Sequence, residues 1–325
     1  MHSPRRTFAA ALLVALATLA GAPAQAQPLS SRPIRLVVPF GPGGVADLTA
    51  RSVAQKMSES MGQSIVVDNK PGAGGVVASD TVAKAPPDGH TLLLMSNGTA
   101  VSVGLFKSLP YDTVKDFAPV SMLGYFDIAV LVPENSRFKT LQDLVAHAKA
   151  HPGTLNVGTI NTGSTQFLAG ELLKNSLGID AQVVPFNGTP GVVTALRGGQ
   201  VDAAVEILAP VLSQVTGKAL RVLAVMGEKR SPNLPDVPTV AESGAPKFNV
   251  ASWNALAAPA GTPKDVLARL NKEANAALAS PEVKKRLQDL GVEPRGSTPE
   301  QQAALLASEI KRWSAVIQQA GIPKQ

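Results

Sequence analysis

The sequence predicts an α/β fold of two domains, each a mostly parallel sheet flanked by helices, hinged by two crossing strands. Three observations predict it. Near the amino end, short β-branched runs alternate with helical patterns, the order that gives parallel strands joined by crossover helices. Two extended apolar stretches, Phe117 to Val132 and Phe248 to Ala258, flank a second strand–helix unit of its own. The chain has 325 residues, more than one core comfortably holds.

The first 26 residues have a secretory layout. Arg5 and Arg6 precede an uncharged apolar run, Phe8 to Ala20, and Ala24-Gln25-Ala26 is the small-x-small pattern cut by a signal peptidase after Ala26. The run is too short for a permanent membrane span. Arg5-Arg6-Thr7-Phe8 also loosely fits a twin-arginine signal.

The elements follow in order. Ile34 to Phe40 reads as a strand broken by Gly41-Pro42-Gly43-Gly44, and a helix follows with Ala50, Val53, Ala54, Met57 and Met61 on one face, ending at Gly62. Ser64 to Asp68 is a strand, Val76 to Ala85 a helix closed by Pro86-Pro87-Asp88-Gly89, and Thr91 to Met95 a third strand. Beyond the first extended stretch come a helix (Leu141 to Ala150), a strand (Thr154 to Thr159), a helix (Gln166 to Ser176) and a strand (Ala181 to Pro185). Pro190 to Arg197 reads as a helix, and Asp202 to Ile207 and Leu220 to Val225 as strands. Three helices close the chain, Pro263 to Leu278, Pro281 to Leu290 and Pro299 to Ala320. Domain 1 is therefore discontinuous, 27–127 with 248–325, and 128–247 is inserted into it. Two connecting strands make a hinge, and closure around a ligand is a use of such a hinge.

Composition narrows the chemistry. Without cysteine there is no disulfide, thiol nucleophile or cysteine metal site. The formal charge is +6, from 30 basic and 24 acidic residues, and losing Arg5 and Arg6 leaves 28 against 24, or +4. The basic residues from Lys264 to Arg312 alternate with acids at helical spacing, which is a solvated face. Aromatics at 4% are too few for base stacking, so no nucleic-acid partner is expected. A modest positive field favours arrival of an anion.

Two loops carry the binding signal. Phe40-Gly41-Pro42-Gly43-Gly44-Val45-Ala46-Asp47 joins a strand to a helix, where ligands collect in parallel sheets. Its glycines admit close approach to the backbone, and the helix start offers N–H groups and a favourable dipole to an anion. Asp47 caps the helix and orients those donors, and Phe40 is an apolar wall. A tight structural turn is the plainer alternative. Gly41 to Ala46 also fits a dinucleotide fingerprint with Asp68 at the next strand end, but Pro42 lacks the N–H a pyrophosphate needs and an exported chain leaves its cofactor supply. The second loop, Asn161-Thr162-Gly163-Ser164-Thr165-Gln166, offers hydroxyl, amide and backbone donors, or is an ordinary N-cap. Ser96-Asn97-Gly98-Thr99 is a matching loop of the first domain. Neither anion loop holds Lys or Arg, which favours a carboxylate held by neutral donors over a phosphate ester.

Catalytic, cofactor and metal assignments are all none. His147 and His151 stand four apart without an H-E-x-x-H frame, and Gly163-Ser164-Thr165-Gln166 lacks the closing glycine of a nucleophile elbow. Glu206, in the apolar run Ala203 to Ala209, is either an acceptor for a ligand N–H or O–H or a structural partner of a backbone donor. Trp253 is either core or ligand wall.

Ordered blocks along the chain resemble the extracytoplasmic receptors of tripartite tricarboxylate transporters, the Bug family. They include Ile34 to Phe40 with Gly43-Gly44 and Asp47, and Asn69-Lys70-Pro71-Gly72-Ala73-Gly74-Gly75. Leu109-Pro110-Tyr111-Asp112, Lys115 to Val120, Leu168-Ala169-Gly170-Glu171-Leu172 and Gly198-Gly199-Gln200-Val201-Asp202 follow. Arg230-Ser231-Pro232, Leu234 to Thr239 and Ala258 to Pro263 complete the set.

The resemblance implies a Venus-flytrap, periplasmic-binding-protein-like receptor. It would be a monomer in the periplasm that binds a small carboxylate, uses no cofactor, and meets membrane transporter subunits transiently. A sensory protein presenting the same ligand to a signalling partner is the alternative function. The implied carboxylate site maps onto Phe40–Asp47 and Asn161–Gln166. Departures from the family pattern are Val45-Ala46 before Asp47, Phe167 after the second loop, Phe186-Asn187 at the next strand end, and Glu206-Ile207. They imply a less polar distal pocket, suited to an aromatic or aliphatic acid rather than citrate.

Overall fold

The computed structural model describes residues 32–325. The expected signal peptide and its cleavage site lie outside the described residues.

Strands β1 (Ile34–Val38), β2 (Ile65–Asn69) and β3 (Thr91–Ser96) pair in parallel, β1 between the other two. Their crossovers are α1 (Val45–Met61) and α2 (Val76–Ala83). The face expected of α1 is the buried one, with Ala50, Val53, Ala54 and Met57 in the core, and Gly62 ends the helix in the left-handed conformation. Helix α3 (Asn97–Leu105) follows β3 directly. The stretch 96–99 is thus a helix start and not a loop, a difference discussed with the site.

Strand β4 (Phe117–Pro133) is 17 residues long. Beyond it come α4 (Leu141–Ala150), β5 (Leu155–Ile160), α5 (Thr165–Leu177), β6 (Ala181–Phe186), α6 (Gly188–Arg197), β7 (Ala203–Ile207), α7 (Leu208–Thr216) and β8 (Leu220–Val225). The chain returns through β9 (Ala251–Pro259), α8 (Lys264–Ala279), α9 (Pro281–Asp289), β10 (Val292–Pro294) and α10 (Pro299–Gln319). Ten strands form one curled sheet along the path β2-β1-β3-β9-β4-β7-β5-β6, with β8 and β10 also on β4.

Strand β4 joins the two halves of the sheet. From Phe117 to Asp127 it pairs antiparallel with β9, and from Ile128 to Pro133 with β7 and β8. Five strand ends then open directly toward helix starts: β1 to α1, β3 to α3, β5 to α5, β6 to α6 and β7 to α7. That arrangement concentrates unsatisfied backbone N–H groups at one set of ends.

The core runs through the middle of the sheet. Trp253 and Trp313 are fully buried in it, so Trp253 is core. Among the described residues, no helix is long and apolar enough to cross a membrane.

Candidate functional site

The first loop is built around Asp47. Gly44, not Asp47, is the N-cap of α1, and the helix begins at Val45. Asp47 sits in the first turn and reaches backward: its Oδ2 accepts from the Gly43 N–H at 2.9 Å and from Arg51 Nε at 3.0 Å, and its Oδ1 from Asn69 Nδ2 at 2.8 Å. Asn69 Nδ2 also donates to the Phe40 carbonyl at 2.9 Å, and Arg51 Nη2 to Asn69 Oδ1 at 3.0 Å. The buried carboxylate thus ties both ends of the glycine loop to the helix. Burial pushes its pKa up, but the bonds from Arg51, Gly43 and Asn69 outweigh burial and hold it below the usual value. The expected capping role is corrected to that of a brace.

The consequence is an open helix end. Gly44 has no side chain and no other side chain caps α1, so its first N–H groups stay available. Gly43 has φ +85°, which favours glycine, and Phe40 through Gly44 are exposed.

The second helix start is different. Ser164 is the N-cap of α5: its Oγ accepts from the Phe167 N–H at 3.1 Å and donates to the Ile160 carbonyl at 3.2 Å. Thr165 Oγ1 accepts from Asn97 Nδ2 at 3.2 Å, and Gln166 Nε2 donates to Glu206 Oε2 at 3.3 Å. These side chains are engaged within the protein. The Ser164 cap takes the Phe167 N–H and leaves those of Thr165 and Gln166, beside the exposed Asn161 and Thr162.

Residues 96–99 are spent internally too. The Ser96 N–H donates to Thr99 Oγ1 at 3.2 Å, and Asn97 Oδ1 accepts from Trp313 Nε1 at 3.1 Å. Asn97 therefore links α3 to both α5 and α10. Gly163 sits against the same helix: a Cβ there would stand 2.4 Å from Leu105 Cδ2, at φ +82°. Phe186 is half-buried at the end of β6, and exposed Asn187 begins α6 without a side-chain cap. Glu206 is wholly buried. Its Oε2 accepts from Gln166, Thr189 and the Ile207 N–H, and its Oε1 has no hydrogen-bond partner. Burial, partly offset by those three bonds, raises its pKa to about 7.

Sequence reasoning missed Arg51, Asn69, Thr189 and Trp313. Arg51 stands four residues after Asp47 on one helix, and that spacing is a usable signal. The other three are partners only through the fold. His147 and His151 stack with ring centroids 4.5 Å apart, and His147 meets Arg137. Among the described residues no group of three or more His, Asp or Glu is placed to hold a metal ion. A cavity of about 530 Å³ lies where β4 meets β9, lined by Tyr125, Asp127, Trp253, Arg295 and Arg312 among others, but by no residue of either loop. Its Arg230, Arg295 and Arg312 are paired with Glu242, Glu293 and Glu309.

The curled α/β sheet with helix starts gathered at its strand ends is a fold shared with periplasmic binding proteins. Three solved structures share the fold. Periplasmic binding protein BugD has 32% identity and a TM-score of 0.77, with 91% of this chain and 100% of that one covered. A Rhodopseudomonas palustris protein solved with adipate has 34% identity and a TM-score of 0.80, covering 92% and 100%. MatC of the same organism, with bound malate, has 36% identity and a TM-score of 0.75, covering 88% and 99%. Residues 49–322 match the tripartite tricarboxylate transporter family receptor, and the chain belongs to that family of solute receptors, which are not enzymes.

Proposed function

We propose that this receptor captures a small carboxylate in a cleft between two lobes, 27–127 with 248–325 and 128–247, and hands it to membrane subunits of a tripartite transporter. The two sets of partners along β4 support that division. The observation that carries the ligand class is the uncapped start of α1, behind an exposed glycine loop free of Lys and Arg and braced by Asp47. Backbone donors from Gly44 and Val45 hold one carboxylate, facing the start of α5 and the exposed Asn161. Phe40, Phe186 and Val45 give the rest of the ligand an apolar surround, so aliphatic or aromatic acids are preferred to citrate. The adipate and malate found in the two similar structures are of this size and class. Residues 1–26 act as the export signal, and the mature chain works as a periplasmic monomer that meets its transporter transiently.

A thermal-shift screen of the purified mature chain tests this reading. Ligand at 100 times its dissociation constant adds about 2.7 kcal/mol, which for a chain of this length is about 4 °C in Tm. Adipate or a similarly sized acid is expected to give such a shift. A shift with citrate and none with less polar acids contradicts the pocket assignment.

A further inference from the structure

Glu206 uses its two carboxyl oxygens unequally. Oε2 accepts three hydrogen bonds, at 3.3 Å from Gln166, 3.2 Å from Thr189 and 3.2 Å from the Ile207 N–H. Oε1 accepts none, although the side chain is wholly buried. A buried carboxylate needs donors or a counter-charge on both oxygens. The neutral acid lessens the conflict: Oε2 serves as the carbonyl oxygen toward the donors, and a proton on Oε1 replaces an uncompensated buried charge with a buried O–H, which costs less.

The surroundings supply no counter-charge. Ala129 of β4 stands opposite Glu206 in the sheet. Of the titratable residues on the packed elements, β4 carries Tyr125 and Asp127, α5 carries Glu171 and Lys174, and α6 carries Arg197, while β5 and α7 carry none. Burial sets the upward shift of Glu206, offset by the three hydrogen bonds. Gln166 and Thr189 are each the second residue of their helices. Glu206 therefore lies directly behind two of the helix starts.

We propose that capture is proton-coupled: the acid enters as an anion and is bound only while Glu206 is neutral, so that wherever Glu206 is ionised in the free protein it takes a proton from solvent onto Oε1 as the anion binds. The inference rests on the carboxylate reading above. An anion held at the start of α1 and facing the start of α5, whose Gln166 bonds Glu206, repels an ionised Glu206 and favours the protonated one. Glu206 acts here as a positioning residue, holding Gln166 and Thr189 through Oε2.

The test is titration calorimetry with adipate and malate as probes, at pH 6 and pH 8, in two buffers of different ionisation enthalpy. If only the protonated form binds, affinity falls about tenfold from pH 6 to pH 8, and close to one proton is taken up at pH 8. Glu206→Gln is expected to lose both the slope and the uptake. A flat wild-type affinity without proton uptake overturns the proposal, as does a variant that keeps the wild-type slope. Should the variant not fold, the two-buffer comparison on wild-type protein decides alone. Failure of every acid tried removes the ligand assignment and this proposal with it; binding without proton uptake removes the proposal only.

Discussion

Glu206 also makes the ligand-free protein's stability depend on pH, with a definite sign. Its folded pKa of about 7 stands above the usual 4.5, so between those values the folded state holds a proton that the unfolded state has released. The stabilising contribution is full below pH 4.5 and is lost as pH rises through 7. At about 1.4 kcal/mol per pH unit, the gap sets a loss of about 3 kcal/mol. Glu206→Gln keeps the shape, offers an oxygen to the three donors and cannot ionise. Urea unfolding of both proteins at pH 5 and pH 8 isolates the effect, because carboxylates such as Asp47 and Asp127 titrate in both and cancel. The expected result is a wild-type protein that loses roughly 2–3 kcal/mol relative to the variant between the two pH values. A difference constant to within about 0.5 kcal/mol refutes the assignment of a buried acid without counter-charge.

Two further substitutions test the link between α3, α5 and α10. Gly163→Ala places a Cβ against Leu105 at positive φ and is expected to cost about 1–3 kcal/mol in chemical unfolding; adding Leu105→Ala should recover the steric part of that loss. Trp313→Phe removes the donor shared by Asn97 at 3.1 Å and Glu309 at 2.8 Å, leaving buried acceptors short of a partner. Its expected cost is about 1–3 kcal/mol, and a cost within experimental error would show that these bonds do not hold α10 in place.

Much of the fold was legible because period and punctuation agreed. The buried face of α1, the 17-residue β4 and the Pro-led helices α8 to α10 follow from local signals. Asn97, Gly98 and Thr99 read as a loop because Asn and Gly favour turns, yet Ser96 and Thr99 close a first helical turn there. Pro210 near the start of α7 hid that helix, although a proline in the first turn loses no hydrogen bond. The three residues of β10 are too few for any periodic signal. At the two helix-start loops, residue types signalled donors but not how the side chains are used. Ser164, Thr165 and Gln166 have suitable donors, and only the fold reveals that these are already bonded. The Asn97–Trp313 bond, across 216 residues, has no local signature at all.

The proposed capture depends on backbone N–H groups at the open start of α1. Gly44 has φ −77°, and an added Cβ would meet nothing within 4 Å, so Gly44→Asp fits and supplies a capping carboxylate of its own. The measurement is the affinity of this variant for the acid that wild-type protein binds best. The predicted result is ligand-free stability raised by only a few tenths of a kcal/mol and affinity at least about tenfold weaker, since the new carboxylate occupies the same donors and repels the ligand. Equal affinity in the two proteins would contradict the claim.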